Sequence, residues 1–468
     1  MPSSRDPASA RLPGWGRFGL ALIVLGAFAI RASPVLRFPE PQRGGLGPFG
    51  DSFVYHTLAF NVYKGHGYSG TQGADTFGAE AQPAPRSYTP GIFRPPAYPL
   101  FLALIYRLCT DPRALVPITT WQRVWDRVRL IQCALDATVC LLVFCLVRTI
   151  FPSSCWLPLL AAALYAGSVY NIYYTRALLS ECLTTWCVAA FLLCAARAIR
   201  RMTQPRLALA GASLGLAALS RPEYALFAGV FALTLAWRSR DSRAHAMRTL
   251  LPFALGAGLV IAPWTVRNLL VFHRPILISS GGWGGNLYFG AVLTRDNWQW
   301  WWSERYPDAL FMDQQERDQF LTFRQRYLRT LIDGTLEEIQ ARDRAFFGLT
   351  LQRLQRQPLA VLKHWLVKIP RLWYLRSIPF YRDPEAGGWC MAGYLGLALW
   401  ALWASGKDAR TLMMPVALLV GYLTLVFIPL HVESRYSVPA IPGIIGLAGI
   451  GLGRLLLPKR LVQAETAA

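Results

Sequence analysis

The sequence predicts an all-α multi-pass integral membrane protein with about ten transmembrane helices, in a range of roughly nine to twelve, and two long external segments that carry juxtamembrane helices. Three observations carry the prediction. Hydrophobic residues make up 54% of the 468 positions and charged residues only 16%; mean hydropathy is +0.30; and apolar runs that reach or approach the length needed to cross about 30 Å of hydrocarbon recur along the chain.

Those runs lie at 17–36, 128–150, 156–174, 178–198, 206–220, 223–238, 249–270, 389–404, 411–430 and 438–457. Within the first, the apolar run Phe18 to Ile30 follows Arg5, Arg11 and Arg17 and superficially has the layout of a secretory signal peptide, but no small-residue cleavage site follows it cleanly and Arg31, Pro34 and Arg37 come next. It reads as a retained anchor with its amino end in the cytoplasm. Basic connections then set the orientation: Arg148; Arg197, Arg200, Arg201 and Arg206; Arg238, Arg240, Arg243 and Arg248; Lys407 and Arg410; and Arg454, Lys459 and Arg460. With all of these on the cytoplasmic side, the chain starts and ends inside. The scheme closes when Tyr98 to Arg107, a run of about ten apolar residues, is a surface or re-entrant helix; a short crossing there, offset by another near Leu359 to Leu375, gives the same parity downstream.

Three regions follow. Residues 1–270 form an N-terminal transmembrane module with a first external loop at 37–127, residues 271–388 an external region with interfacial helices, and residues 389–468 a C-terminal transmembrane module. The first loop is rich in Gly and Pro, with an amphipathic helix expected over Ser52 to Lys64. The second carries Trp298, Trp300, Trp301 and Trp302, whose rings suit the headgroup level, then a charged helical region to about Arg356. Leu359 to Leu375, with Lys363, His364, Lys368 and Arg371 among apolar residues, reads as an interfacial helix. No internal sequence repeat is evident.

Net charge is +22, but the basic residues sit in short clusters between apolar runs, which argues against a nucleic-acid partner. The nine cysteines include no CxxC pair and most lie within apolar runs, so neither a disulfide framework nor a zinc site is expected. His56 and His66 are ten apart without matching ligands, and no metal or other cofactor is called for.

The short external connections pair acids with bases: Arg176 with Glu181, Arg221 with Glu223, and Glu433 with Arg435 beside His431 and Tyr436. Ionisable groups at a membrane boundary are costly unless they face a polar cavity, so these are site candidates; the other reading is a local salt bridge at each helix end. Asp51, next to Ser52, is either a proton acceptor for an attacking hydroxyl or amine, or a helix N-cap, and the two roles are compatible. Glu181, just inside an apolar run, needs a cavity, a cation such as Arg176, or a proton; a capping carboxylate is its alternative. Lys64, Arg94, Arg221, Arg267 and Arg435 are candidate phosphate ligands, because guanidinium grips phosphate with parallel hydrogen bonds. Snorkelling toward headgroups is the rival reading for Arg267. Ser279 to Asn286, with four glycines, offers backbone amides to an anion or forms a hairpin.

These pieces, in order, resemble the membrane glycosyltransferases of the C-type superfamily, in particular bacterial relatives of the dolichyl-phosphate-mannose protein mannosyltransferases and of the transferase that adds aminoarabinose to lipid A. The matching segments are Asp51-Ser52 with Tyr55, Gly65 to Ser69, Arg94 to Pro99, Leu179-Ser180-Glu181, Leu219 to Pro222, Pro263 to Asn268, Gly285-Asn286-Leu287 and Glu433 to Tyr436. The resemblance implies a polyprenyl-phosphate-linked sugar donor held by its lipid tail between helices, a lipid, glycan or protein acceptor, and transfer with inversion at the anomeric carbon on the periplasmic or exterior face of a bacterial inner membrane. It makes Asp51 the general base with Glu181 in support. Lys64, Arg94, Tyr98, Arg221, Arg267, Glu433, Arg435 and Tyr436 become donor-phosphate or substrate residues, with Arg94 and Arg435 stabilising the departing phosphate in place of a metal. The chain departs from members with two adjacent acids in the first loop, since Ser52 follows Asp51. The alternative from another class is a lipid or polysaccharide transporter or flippase, which predicts inverted halves and polar residues at mid-membrane.

Overall fold

A computed structural model describes residues 12–37, 51–71, 88–111, 118–240, 242–292, 314–327, 334–373 and 384–456. The tryptophans at 298 and 300–302, together with Arg5, Arg11, Lys459 and Arg460, lie outside the described residues.

Within hydrocarbon the backbone has no water to bond, so helices are the economical solution for an apolar chain. The order is α1 (Gly14–Arg37), α2 (Asp51–Lys64), β1 (Ser69–Thr71), β2 (Tyr88–Pro90), α3 (Ala97–Cys109), α4 (Ile118–Ile150), α5 (Trp156–Ala166), α6 (Val169–Tyr174), α7 (Glu181–Arg200), α8 (Gln204–Ser220), α9 (Glu223–Arg238) and α10 (Arg243–Phe272). It continues with α11 (Trp283–Val292), α12 (Gln314–Tyr327), α13 (Leu336–Arg356), α14 (Pro358–Trp373), α15 (Pro384–Ala404), α16 (Lys407–Phe427), a 3₁₀ turn (Ser434–Ala440) and α17 (Ile441–Leu456). β1 and β2 form one antiparallel ladder.

Among the described residues, six helices are long and apolar enough to cross a membrane: Gly14–Arg37, Trp121–Ile150, Glu181–Arg200, Arg243–Phe272, Lys407–Phe427 and Ser434–Leu456. The fold class expected from the sequence, a helical multi-pass membrane protein, is therefore present. Individual runs differ from expectation for local reasons. The run at 156–174 is two helices, because the chain leaves α-helical geometry at Gly167 and Ser168. Helices α8 and α9 have 17 and 16 residues, about 25 Å of helix at 1.5 Å per residue. Helix α4 begins at Ile118 rather than at 128.

Helix α2 is not the one-sided surface helix its sequence suggested. Tyr55, His56, Thr57, Leu58, Ala59, Asn61 and Tyr63 are all buried, because α3 and the start of α4 enclose it in an aromatic cluster with Tyr98, Tyr106, Trp121 and Trp125. Helix α3 presents Tyr98, Leu102, Ile105 and Tyr106 to this cluster and leaves Leu100, Leu104 and Leu108 exposed. Its 13 residues span about 20 Å, short of the hydrocarbon thickness.

Small residues let the long helices approach. A Cβ on Gly211 of α8 would fall 2.0 Å from the Phe253 carbonyl of α10, and one on Gly256 would fall 2.0 Å from the Ala208 carbonyl. That is the close backbone contact on which helix association in lipid depends. Arg31, which follows the apolar run Phe18 to Ile30, lies inside α1 and is fully buried. Its Nε meets Asp136 Oδ2 of α4 at 2.5 Å, while its other nitrogens donate to the carbonyls of Ala27, Tyr165 and Ala166. The Tyr165 hydroxyl donates to Asp136 Oδ1 at 2.7 Å. This satisfied network ties α1, α4 and α5 together.

Candidate active site

Bonds local to the first loop fix Asp51 and Arg94. Asp51 is the first residue of α2, and Arg94 follows the ladder in which Ser69 pairs with Pro90. The Asn61 amide donates to the Ser69 carbonyl at 2.7 Å, and the Tyr68 hydroxyl donates to the Arg94 carbonyl at 2.9 Å. The ladder is thereby pinned to α2, and Arg94 faces Asp51.

The carboxylate of Asp51 is turned to two guanidinium groups. Arg94 Nη2 donates to Oδ1, and Arg435 Nη2 donates to Oδ2 at 2.7 Å. The side chain therefore serves as an ion-pair acceptor rather than as a cap on α2. Burial pushes the Asp51 carboxyl up, but Arg94 and then Arg435 pull it further down, so it ends well below the usual carboxylate range.

Arg435 is the hub. Its Nε lies 2.5 Å from Glu433 Oε2 and 3.7 Å from Glu181 Oε1, so one guanidinium touches three carboxylates from three distant parts of the chain. Glu181 Oε1 is also 3.4 Å from Arg221 Nη1, and Arg221 Nε meets Glu223 Oε1 at 2.6 Å. Burial raises the Glu433 carboxyl, while Arg435 and then His431, 3.3 Å away, lower it to about 2. Tyr436 offers its ring to Arg221 at 4.7 Å and to Arg435 at 5.5 Å. The Glu181 Oε2 atom is buried and, among the described residues, has no hydrogen-bond partner.

These groups open on one cavity of about 160 Å³. Asp51, Tyr55, Arg94, Glu181, Arg221, Arg435 and Tyr436 line one side, and Phe93, Gly281, Gly282, Trp283 and Asn286 contribute to the rest. Among the described residues, no group of three or more His, Cys, Asp or Glu side chains is arranged to hold a metal ion.

Of the residues singled out from the sequence, Asp51, Arg94, Glu181, Arg221, Glu433, Arg435 and Tyr436 come together. Glu433 stands just behind the lining, against Arg435, and three residues lie apart from the cavity. Lys64 lies at the far end of α2, its ammonium near the rings of Phe60 and Tyr63. Tyr98 is buried behind Tyr55, its hydroxyl donating to Gln132 Oε1 at 2.8 Å. Arg267 donates to the carbonyls of Gly91 and Tyr68 at 3.0 Å each and stacks near Trp264, so it ties α10 to the ladder.

The glycine-rich stretch at 279–286 is neither a hairpin nor an open anion cradle. The Gly282 and Gly284 amides both donate to Asp343 Oδ1 of α13 at 2.8 Å, so an internal carboxylate occupies the amides at the start of α11. Gly281 and Gly282 have φ of 84° and 100°, in the region that favours glycine. Sequence reasoning did not identify Trp283 or Phe93 as cavity residues; an aromatic beside a run of glycines, as at Trp283, was the available signal.

A helical membrane architecture with a carboxylate held between guanidinium groups at one end of the bundle defines the class to which comparisons can be put. Residues 94–266 match the family model described as dolichyl-phosphate-mannose-protein mannosyltransferase. Over this stretch the match agrees with the resemblance to the C-type glycosyltransferases drawn from the sequence. Among solved structures, oligosaccharyltransferase AglB from Archaeoglobus fulgidus, in complex with an inhibitory peptide and a dolichol-phosphate, is 12% identical, with a TM-score of 0.56 over 97% of this chain and 52% of that one. The apo form of the Archaeoglobus fulgidus oligosaccharyltransferase is likewise 12% identical, with a TM-score of 0.54 over 96% of this chain and 52% of that one. The chain thus spans about half the length of the oligosaccharyltransferase it matches. At this identity the likeness is one of fold. No curated protein is significantly similar in sequence.

Proposed function

We propose that the protein is a glycosyltransferase that moves a sugar from a polyprenyl-phosphate donor to an acceptor at the outer face of the membrane, by inverting displacement with Asp51 as general base and without a required metal. The observation that carries the reading is the convergence of Asp51, Glu181 and Glu433 on Arg435, which lines one cavity with Asp51, Glu181, Arg94 and Arg221. The family match over residues 94–266 supports it, as does the dolichol-phosphate held by the oligosaccharyltransferase of similar fold. In the proposed topology, α5 with α6, α8, α9 and α15 complete about ten crossings with the longer helices. The basic connections after α7, α9 and α15 lie at the opposite end from Asp51, so the positive-inside rule supports a cavity that faces outside, which in the proposed reading is the periplasmic side of a bacterial inner membrane.

In the proposed reaction the acceptor oxygen or nitrogen attacks the anomeric carbon from the face opposite the phosphate. The bond from that carbon to the phosphate oxygen breaks, its electron pair leaves with the lipid phosphate, and the acceptor proton passes to Asp51. Before the donor arrives, both Asp51 oxygens are engaged by arginine. A donor phosphate competes for those arginines; as they swing to it, Asp51 loses the cations that depress its proton affinity and becomes a stronger base. The same arginines then stabilise the charge building on the leaving phosphate. Glu181 Oε2 remains available to accept from a hydroxyl of the sugar or acceptor. The test is to incubate the purified protein with a panel of polyprenyl-phosphate hexoses and pentoses and lipid, glycan and peptide acceptors, and identify products by mass spectrometry. A glycosylated product with release of polyprenyl phosphate is expected; donor translocation across vesicles without any transfer would favour the transporter reading.

A further inference from the structure

A second cavity, of about 400 Å³, lies along α14 and is lined by Ala360, Lys363, His364, Val367, Lys368 and Arg371. None of these is acidic, and among the described residues Lys363 and Arg371 form no ion pair. Lys363 is exposed and Arg371 half-buried. Lys368 is buried and donates to the carbonyls of Gly290 and, at 3.2 Å, Leu430. Burial lowers the Lys368 ammonium to about 7, and an anion seated beside it favours the charged form, whose three donors leave one N–H for the ligand.

The surroundings of this cationic pocket identify the occupant. On the same helix Leu359, Leu362, Leu366 and Val367 are 80%, 47%, 53% and 53% exposed among the described residues. An exposed apolar stripe beside a basic pocket is the pattern of a helix lying in the interfacial plane, with its leucines among acyl chains and its cations at headgroup phosphates. Burial lowers the His364 imidazole, and Arg353, Lys368, Arg371 and Lys363 lower it further, which reflects the uncompensated positive field.

We propose that the α14 cavity is a binding site for the headgroup of an anionic phospholipid. Lys363 and Arg371 hold the phosphate, the third N–H of Lys368 completes the contact, and the leucine stripe sits among the acyl chains. The site adjoins the reaction cavity through Leu430, which lines that cavity and accepts from Lys368. It does not depend on the proposed transfer reaction.

The test uses the full chain in detergent, titrated with phosphatidylglycerol, phosphatidylcholine or inorganic phosphate, with bound molecules counted by native mass spectrometry. Wild type should retain phosphatidylglycerol over phosphatidylcholine, and 0.5 M salt should weaken that preference. Each cation removed should cost roughly fivefold in phosphatidylglycerol affinity, so Lys363→Gln with Arg371→Gln should lose on the order of twenty-fivefold. Lys363→Gln alone, at an exposed position, provides the fold-neutral arm. Equal retention of the two lipids by wild type, or unchanged phosphatidylglycerol retention in both variants, would overturn the proposal. Inorganic phosphate binding as tightly as phosphatidylglycerol would make this a soluble-anion site and would overturn it too.

Discussion

Replacing Arg435 by glutamine removes the cation on which the cavity is organised. In the native arrangement Arg435 lies 2.7 Å from Asp51, 2.5 Å from Glu433 and 3.7 Å from Glu181. At an effective dielectric constant of about 20, opposite unit charges about 4 Å apart attract by about 4 kcal/mol before solvent screening. The side chains of Asp51 and Arg435 are 25% and 16% exposed, so the net effect is smaller. Loss of one charge-stabilising donor at a leaving group costs about 3 kcal/mol, roughly a hundredfold in kcat. Three carboxylates left near one another should also lower fold stability by about 3 kcal/mol. The pH profile separates these effects. Arginine depresses the Asp51 carboxyl, so the native protein keeps its base ionised, and the associated stability, until pH falls through that depressed value. Without Arg435 the carboxyl rises, and the acid limb of kcat/KM moves to higher pH. The assay is donor turnover from pH 4 to pH 8, with thermal unfolding followed in parallel; Arg435→Lys should restore charge but not the two-pronged grip. A folded Arg435→Gln protein with native kcat and an unmoved acid limb would refute the reasoning.

Three further outcomes follow from the packing. Gly290→Ala would put a methyl 2.0 Å from the Pro429 carbonyl; it should displace the segment leading to Glu433 and Arg435 and reduce transfer at least tenfold while the helical circular dichroism is kept. Arg31→Gln or Asp136→Asn should each cost about 3 to 5 kcal/mol by orphaning a buried charge, whereas Arg31→Met combined with Asp136→Leu should recover much of that loss in a thermal-unfolding series. Arg267→Gln should lower thermal stability through its lost carbonyl contacts while leaving the donor KM near native; a large rise in donor KM without loss of stability would return Arg267 to the phosphate site.

Much of the cavity is legible in the sequence because charge at a membrane boundary is expensive: Asp51, Arg94, Glu181, Arg221, Glu433 and Arg435 stand out against apolar surroundings. Their partners are less legible. Arg221 with Glu223, and Glu433 with Arg435, do pair locally, yet Glu181 meets Arg221 and Arg435 rather than Arg176. Spacing along the chain reports neighbours within a helix turn, not which helix ends meet in space. The same limit applies to Arg31, where a basic residue at the edge of an apolar run looks like a flank until Asp136 and the end of α5 are seen to meet it. Arg267 and the glycines at 281–285 look like anion ligands by residue type; carbonyls in one case and Asp343 in the other already use their hydrogen-bonding capacity.

The most direct test of the central claim is Asp51→Asn, a near-isosteric change that keeps an acceptor for arginine but removes the base. With a polyprenyl-phosphate sugar and an accepted acceptor, single-turnover transfer should fall by about two to four orders of magnitude while folding and membrane insertion are retained. Transfer by a folded Asp51→Asn protein at the native rate would contradict the assignment of Asp51 as the base.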